Sequence, residues 1–130
     1  MKCKDPIAEA RRYVENARET LKERGELNIE TKRYEDDKYV RVAGTYLWLG
    51  VLMALDAVFH VRKDRRTRVD IDQYRDAVGK RDRKLLDFVN DGYDVMHLSM
   101  MYDGIQAKEI CDSGFRLANT IIDRCETMVS

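Results

Sequence analysis

The chain has 130 residues, 44% of them hydrophobic and 37% charged, with one proline. That length suits a single domain, 1–130, whose core stands without staples, and the apolar content excludes an intrinsically disordered chain. Lys plus Arg equals Asp plus Glu at 24 each, so the overall basic excess that nucleic-acid binders use against phosphates is absent, which leaves only a local patch to consider.

The opening residues, MKCKDPIAEARRYVENARE, contain no apolar run of the kind a signal peptide needs. Helix one starts there. Asp5 is placed to cap it and Pro6 suits its first turn. Ile7, Ala10, Val14, Ala17 and Leu21 recur at alternating helical spacings and make one apolar stripe. Gly25, following Lys22 and Arg24, is the stop signal. The segment ELNIETKRY then reads as a loop.

Helix two is expected from about Glu35 to about Val61. Its middle, VAGTYLWLGVLMALDAVF, is nearly all apolar. It falls slightly short of a membrane span and carries Asp56 inside it, where a charge in lipid is costly. The reading adopted is a central bundle helix, apolar nearly all round because it is buried nearly all round, with no membrane. The basic connection VRKDRRTRVD follows. Asp70 is placed to cap a short helix, IDQYRDAVGK, which Gly79 is expected to break or bend. Helix three is expected from about Asp82 to Tyr102, with Leu85, Leu86, Val89, Tyr93, Met96 and Met100 on one face. Asp103–Gly104 marks a turn, and helix four runs from about Gln106 to Met128. No strand and no internal repeat is expected.

The sequence has only two histidines, and each has an aspartate nearby. Asp94 and His97 are three apart, which makes them neighbours on an α-helix; a carboxylate there fixes the imidazole's tautomer and raises its basicity, as a general base or metal ligand requires. The plainer reading is a boundary histidine bonded to Asp94 or to another helix. Asp56 and His60, four apart, repeat the arrangement. Asp56 needs a partner if buried, and His60, Thr45 or an arginine from another helix would serve. Asp56, His60, Asp94 and His97 together make a candidate metal set, with Glu109 and Asp112 as further acids, but the spacing fits poorly to the Glu-x-x-His pairs of di-iron bundles. No metal and no cofactor is therefore assigned.

Between Val61 and Lys84 there are ten basic and five acidic residues. Arg62, Arg65, Arg66 and Arg68 are the candidate phosphate or RNA contacts, set against a simple solvated loop. Tyr74 is the one aromatic in this stretch, so no base-stacking platform is signalled. Ser99 and Ser113 lie in no nucleophile elbow, Cys111 and Cys125 have no assignable base, and Gly92 and Gly104 make no phosphate loop. The three cysteines, with Cys3, have no CxxC spacing, so neither a disulfide framework nor a zinc site is signalled; a reducing, cytoplasmic setting is expected.

The pattern Y-D-x-x-H-L-x-x-x-Y-D-G after RDRKLLDFVNDG resembles a small uncharacterised family of Bacteroidales proteins, over nearly the whole chain. In layout the chain also resembles the HEPN bundles, the higher-eukaryote and prokaryote nucleotide-binding fold, which have four or five helices with a short extra one and often form dimers. Many of those are ribonucleases marked by an arginine, a polar residue and a histidine on one helix. Neither His60 nor His97 has an arginine four to six residues before it, so no HEPN catalytic residue carries over. The resemblance implies an all-α, four-to-five-helix HEPN-like up-down bundle. The exposed apolar surface of helix two, including Trp48, Leu49 and Leu52, adds a physical reason to expect a homodimer. The functional reading is a non-catalytic interaction or regulatory module. Its alternatives are a HEPN-type nucleotide- or RNA-directed activity, and a metal- or ligand-binding bundle.

Overall fold

A computed structural model describes residues 5–62 and 68–129. The architecture is all-α, with one very small hairpin. The elements run α1 (Pro6–Arg24), β1 (Leu27–Asn28), β2 (Arg33–Tyr34), α2 (Asp37–Phe59), α3 (Ile71–Arg81), α4 (Arg83–Gly92), a π-helix (Tyr93–Tyr102) and α5 (Lys108–Met128).

Local chemistry accounts for most of the helix ends. The Asp5 carboxylate accepts from the N–H groups of Ile7 and Ala8, and Asp36 accepts from Lys38 N–H. Asp70 and Gln73 make a reciprocal capping box on α3, and Asp82 caps α4. Each satisfies donors that the first helical turn leaves unpaired. The five stripe residues of α1 are all buried, as the spacing predicts. Gly25 does close α1, but not through a left-handed conformation, since its φ is −72°. A Cβ there would lie 2.7 Å from Leu21 O and 2.8 Å from the Tyr34 ring. Glycine is required because Tyr34 packs against the end of the helix.

The expected loop ELNIETKRY holds the hairpin. β1 and β2 pair antiparallel, Leu27 with Tyr34 and Asn28 with Arg33. Glu26 and Lys32 take positive φ (55° and 58°), and the Asn28 side chain accepts from Glu30 and Thr31 N–H to tie the turn. Gly79 lies inside an unbroken α3. The break falls instead at Asp82, whose extended backbone starts α4.

The helix expected over 82–102 is one rod in sequence but two kinds of helix in space. From Tyr93 it widens to i→i+5 bonding and stays so for ten residues, far beyond the usual single-turn π-bulge. Three glycines let this wide helix sit close to its neighbours. A Cβ on Gly44 of α2 would lie 2.7 Å from both Met100 Cβ and Met101 N. Gly92 and Gly114 likewise leave room for Met96 and Met100, at 2.6 Å from a would-be Cβ. Met96 and Met100 are fully buried in the one core cluster, with Leu47, Val51, Leu55, Ile121 and Ile122.

α2 is long and apolar enough to cross a membrane by length and composition alone, and half of its most apolar window is buried within the fold. It packs against α1, α5 and the π-helix. Trp48, expected on its exposed face, is 6% exposed; Leu49 is the open one, at 44%.

Candidate functional site

The two Asp–His pairs do not assemble as pairs. Asp94 is exposed, whereas His97 is half-buried among rings. The i→i+5 geometry explains the difference, because residues three apart no longer share a face. His97 instead meets Tyr102, five residues on, with ring centroids 5.9 Å apart. Tyr93 stands 5.0 Å away and Trp48 of α2 5.8 Å away. Trp48 and Tyr93 also meet edge to face at 5.7 Å, a favoured aromatic geometry. The Nδ1 of His97 is buried and has no hydrogen-bond partner. Burial holds the imidazole below its ordinary pKa.

Beside this cluster lies a cavity of about 270 Å³. Its walls are Trp48, Leu52, Tyr93 and His97 on one side and Val69, Asp70, Ile71 and Tyr74 at the start of α3 on the other.

The second pair serves to end α2. His60 is the left-handed cap residue (φ 52°), its N–H bonded to Asp56 O. Its side chain is exposed. The Asp56 carboxylate bonds elsewhere: Oδ1 accepts from Arg62 N–H at 3.0 Å and Oδ2 from the Tyr74 hydroxyl at 2.9 Å. Among the described residues, the side-chain partner that Asp56 needs is a tyrosine from α3, not His60 or Thr45. Thr45 bonds to the backbone of Arg41. Burial, together with the Asp56 hydrogen bond, pushes the Tyr74 phenol well above its ordinary pKa.

Asp56, His60, Arg62 and Tyr74 edge a wider groove of about 630 Å³, floored by Tyr13, Leu49, Leu52, Met53 and Ala57. Leu52 and Tyr74 line both this groove and the His97 cavity. Sequence reasoning had the carboxylate and the histidines but not Tyr74 as their organiser. The signal was there: a lone acid in an apolar helix demands a buried donor, and Tyr74 is the one aromatic in an otherwise charged stretch.

Among the described residues no group of three or more His, Cys, Asp or Glu side chains is placed to hold a metal ion. Glu109 is exposed and Asp112 pairs with Lys108 at 2.7 Å. Of the four candidate arginines, Arg62 lines the groove, Arg68 is exposed, and Arg65 and Arg66 lie outside the described residues. Cys111 and Cys125 are buried free thiols, each pushed up to about 12 by desolvation, the opposite of what a nucleophile needs.

These features define a helical-bundle protein with an open apolar groove and an aromatic cavity beside it. Residues 5–127 match a family described as Domain of unknown function (DUF5618), and the chain belongs to that family. It is also similar to a solved structure, a protein of unknown function from Dyadobacter fermentans, at 35% identity over 98% of each chain with a TM-score of 0.87. No curated protein matches it.

Proposed function

We propose that this chain is a non-catalytic interaction module that works as a cytoplasmic homodimer, with the groove along α2 as its docking face. The observation that carries the reading is that groove: about 630 Å³, floored by apolar side chains, the exposed Leu49 among them. A two-fold interface needs a patch complementary to itself. Leu49 is an exposed apolar residue within that groove, where a second copy's Leu49 would pack against it. The formal charge of zero leaves no net repulsion between copies to oppose that contact. The HEPN-like layout, with its habit of pairing, and a Bacteroidales source belong to the same proposal. So does a reducing compartment, which suits the buried free thiols of Cys111 and Cys125.

Sedimentation equilibrium of the wild type and of Leu49→Asp tests this reading. The wild type is expected to dimerise across the micromolar range. The variant should be monomeric with an almost unchanged melting temperature, since position 49 contributes little to the core. A wild type that stays monomeric throughout that range overturns the proposal.

A further inference from the structure

We propose that the cleft between the end of α1, the hairpin and the start of α5 binds a small aryl phosphate monoester, its phosphate among Lys32, Arg33 and Arg116 and its ring against Leu27, Tyr34 and Phe115. The cleft consists of two adjoining hollows. One, of about 640 Å³, is walled by Thr31, Lys32 and Arg33 of the hairpin and by Lys108, Ser113 and Arg116 of α5. The other, of about 430 Å³, is walled by Leu21, Lys22, Leu27, Tyr34 and Phe115. Lys108 and Asp112 line both. None of these residues lines the groove along α2.

Charge gives the phosphate. The chain has a formal charge of zero, yet six cations, Arg18, Lys22, Lys32, Arg33, Lys108 and Arg116, stand here against two acids, Glu109 and Asp112. Lys108 pairs with Asp112 at 2.7 Å and Arg18 with Glu15 at 3.4 Å. Among the described residues no carboxylate pairs with Lys22, Lys32, Arg33 or Arg116. Lys32, Arg33 and Arg116 are exposed, so their charged ends are open to a ligand. Arg116 donates to Ser113 Oγ at 3.0 Å, which holds the guanidinium at the wall of the first hollow and leaves most of its five N–H donors unused. A carboxylate brings one charge and two oxygens. A phosphate monoester brings up to two charges and three oxygens, and so satisfies more of these donors; a metal cation would be repelled.

Shape gives the ring. Tyr34 and Phe115 supply aromatic surface to the second hollow, and Leu27 is a large apolar side chain left 38% exposed beside it. A cavity of roughly 150 Å³ holds benzene, so there is room for one aromatic ring. The walls are fixed in advance, because Lys108 N–H bonds to Lys32 O at 3.0 Å and Tyr34 N–H to Gln106 O at 2.8 Å. Lys32 itself is held at a φ of 58°, a costly backbone for a residue other than glycine and one that concentrates at ligand sites.

Calorimetric titration of the full chain with phenyl phosphate and with inorganic phosphate tests this. Phenyl phosphate should bind saturably and about tenfold more tightly than inorganic phosphate, and raising the ionic strength from about 0.01 M to about 0.15 M should weaken it. Arg33→Ala with Arg116→Ala, both at exposed positions, should weaken phenyl phosphate by about tenfold or more, the scale of lost charged hydrogen bonds. Glu109→Gln should tighten it by about threefold. Phe115→Ala should narrow the gap between the two probes, and Leu27→Ala is the same check if Phe115→Ala fails to fold. Leu49→Asp should bind normally, so this inference and the dimer proposal stand or fall separately. No saturable binding of phenyl phosphate in the millimolar range overturns the inference. So does equal affinity for the two probes, or an RNA oligomer that binds where phenyl phosphate does not, since either would mark a purely electrostatic face.

Discussion

Gly44→Ala is the sharpest test of the crossing between α2 and the π-helix. An alanine there would place its Cβ 2.7 Å from Met100 Cβ, 2.7 Å from Met101 N and 2.9 Å from Met96 O. Two of these three are backbone atoms, so no side-chain rotation relieves the contact. In an open helix the same change stabilises by about 1 kcal/mol through helix propensity. Overpacking a core costs about 1–3 kcal/mol, and more where the backbone must move. The clash wins, and a net loss of about 2 kcal/mol is expected. For a domain of this size that lowers Tm by roughly 8 °C.

Gly79→Ala in α3 is the matched control. Its Cβ would meet only the Cδ2 end of Leu86, at 3.2 Å, and that flexible tip can yield. A change between zero and about 1 kcal/mol of stabilisation follows from propensity alone. Urea titration of both variants measures the difference. If Gly44→Ala is as stable as the wild type, then α2 and the π-helix do not cross this closely, and the account of His97's surroundings fails with it.

Tyr74→Phe removes a donor from Asp56 (2.9 Å) and should cost about 1 kcal/mol near neutral pH. The phenol's pKa is raised by folding, so its contribution is complete below its ordinary value near 10 and is lost as pH rises through the higher folded value. The wild type should therefore lose stability in alkali by a component that Tyr74→Phe lacks; identical alkaline slopes would refute the hydrogen bond. Asp82 is held below its ordinary carboxylate pKa chiefly by the Arg124 guanidinium, at 2.7 Å. Its contribution is present above about pH 4 and lost as pH falls through the lower folded value, so Asp82→Asn should flatten the acid side of a stability–pH curve. Cys111 and Cys125, pushed up to about 12, should resist iodoacetamide at mildly alkaline pH until the chain unfolds. Rapid labelling of either, read by peptide mass mapping, would contradict their burial.

Periodicity made the helices legible, and the caps followed from Asp5 and Asp70, because both signals act within a few residues. What stayed hidden depended on contacts made across the fold. The hairpin at Leu27–Tyr34 has strands of two residues each, too short for alternation to show, and Asn28 with the left-handed Lys32 builds its turn. Gly25 read correctly as a stop signal, but the reason is the Tyr34 ring nine residues away in sequence. The change from α to π winding at Tyr93 leaves no mark in the apolar pattern, since Met96 and Met100 are inward under either geometry. That change alone separates Asp94 from His97, so the most suggestive pair in the sequence dissolved for a reason that only backbone geometry supplies.

The titration of His97 decides between the two readings of that residue. On an ordinary α-helix Asp94 would sit beside it and raise its pKa by stabilising the imidazolium. On the π-helix Asp94 points to solvent, three rings surround the imidazole, and desolvation pushes the pKa below its usual 6.5. The folded state then binds fewer protons than the unfolded chain just below that value. Stability is full above about pH 6.5 and falls as pH drops through the folded pKa. Nuclear magnetic resonance of the imidazole protons gives the pKa directly, and thermal melts between neutral and mildly acid pH give the slope. His97→Phe should abolish the His97 part of that slope, because phenylalanine takes up no proton. A measured value above 6.5 would put a carboxylate back beside the ring. It would restore the acid–base pairing that the spacing suggests.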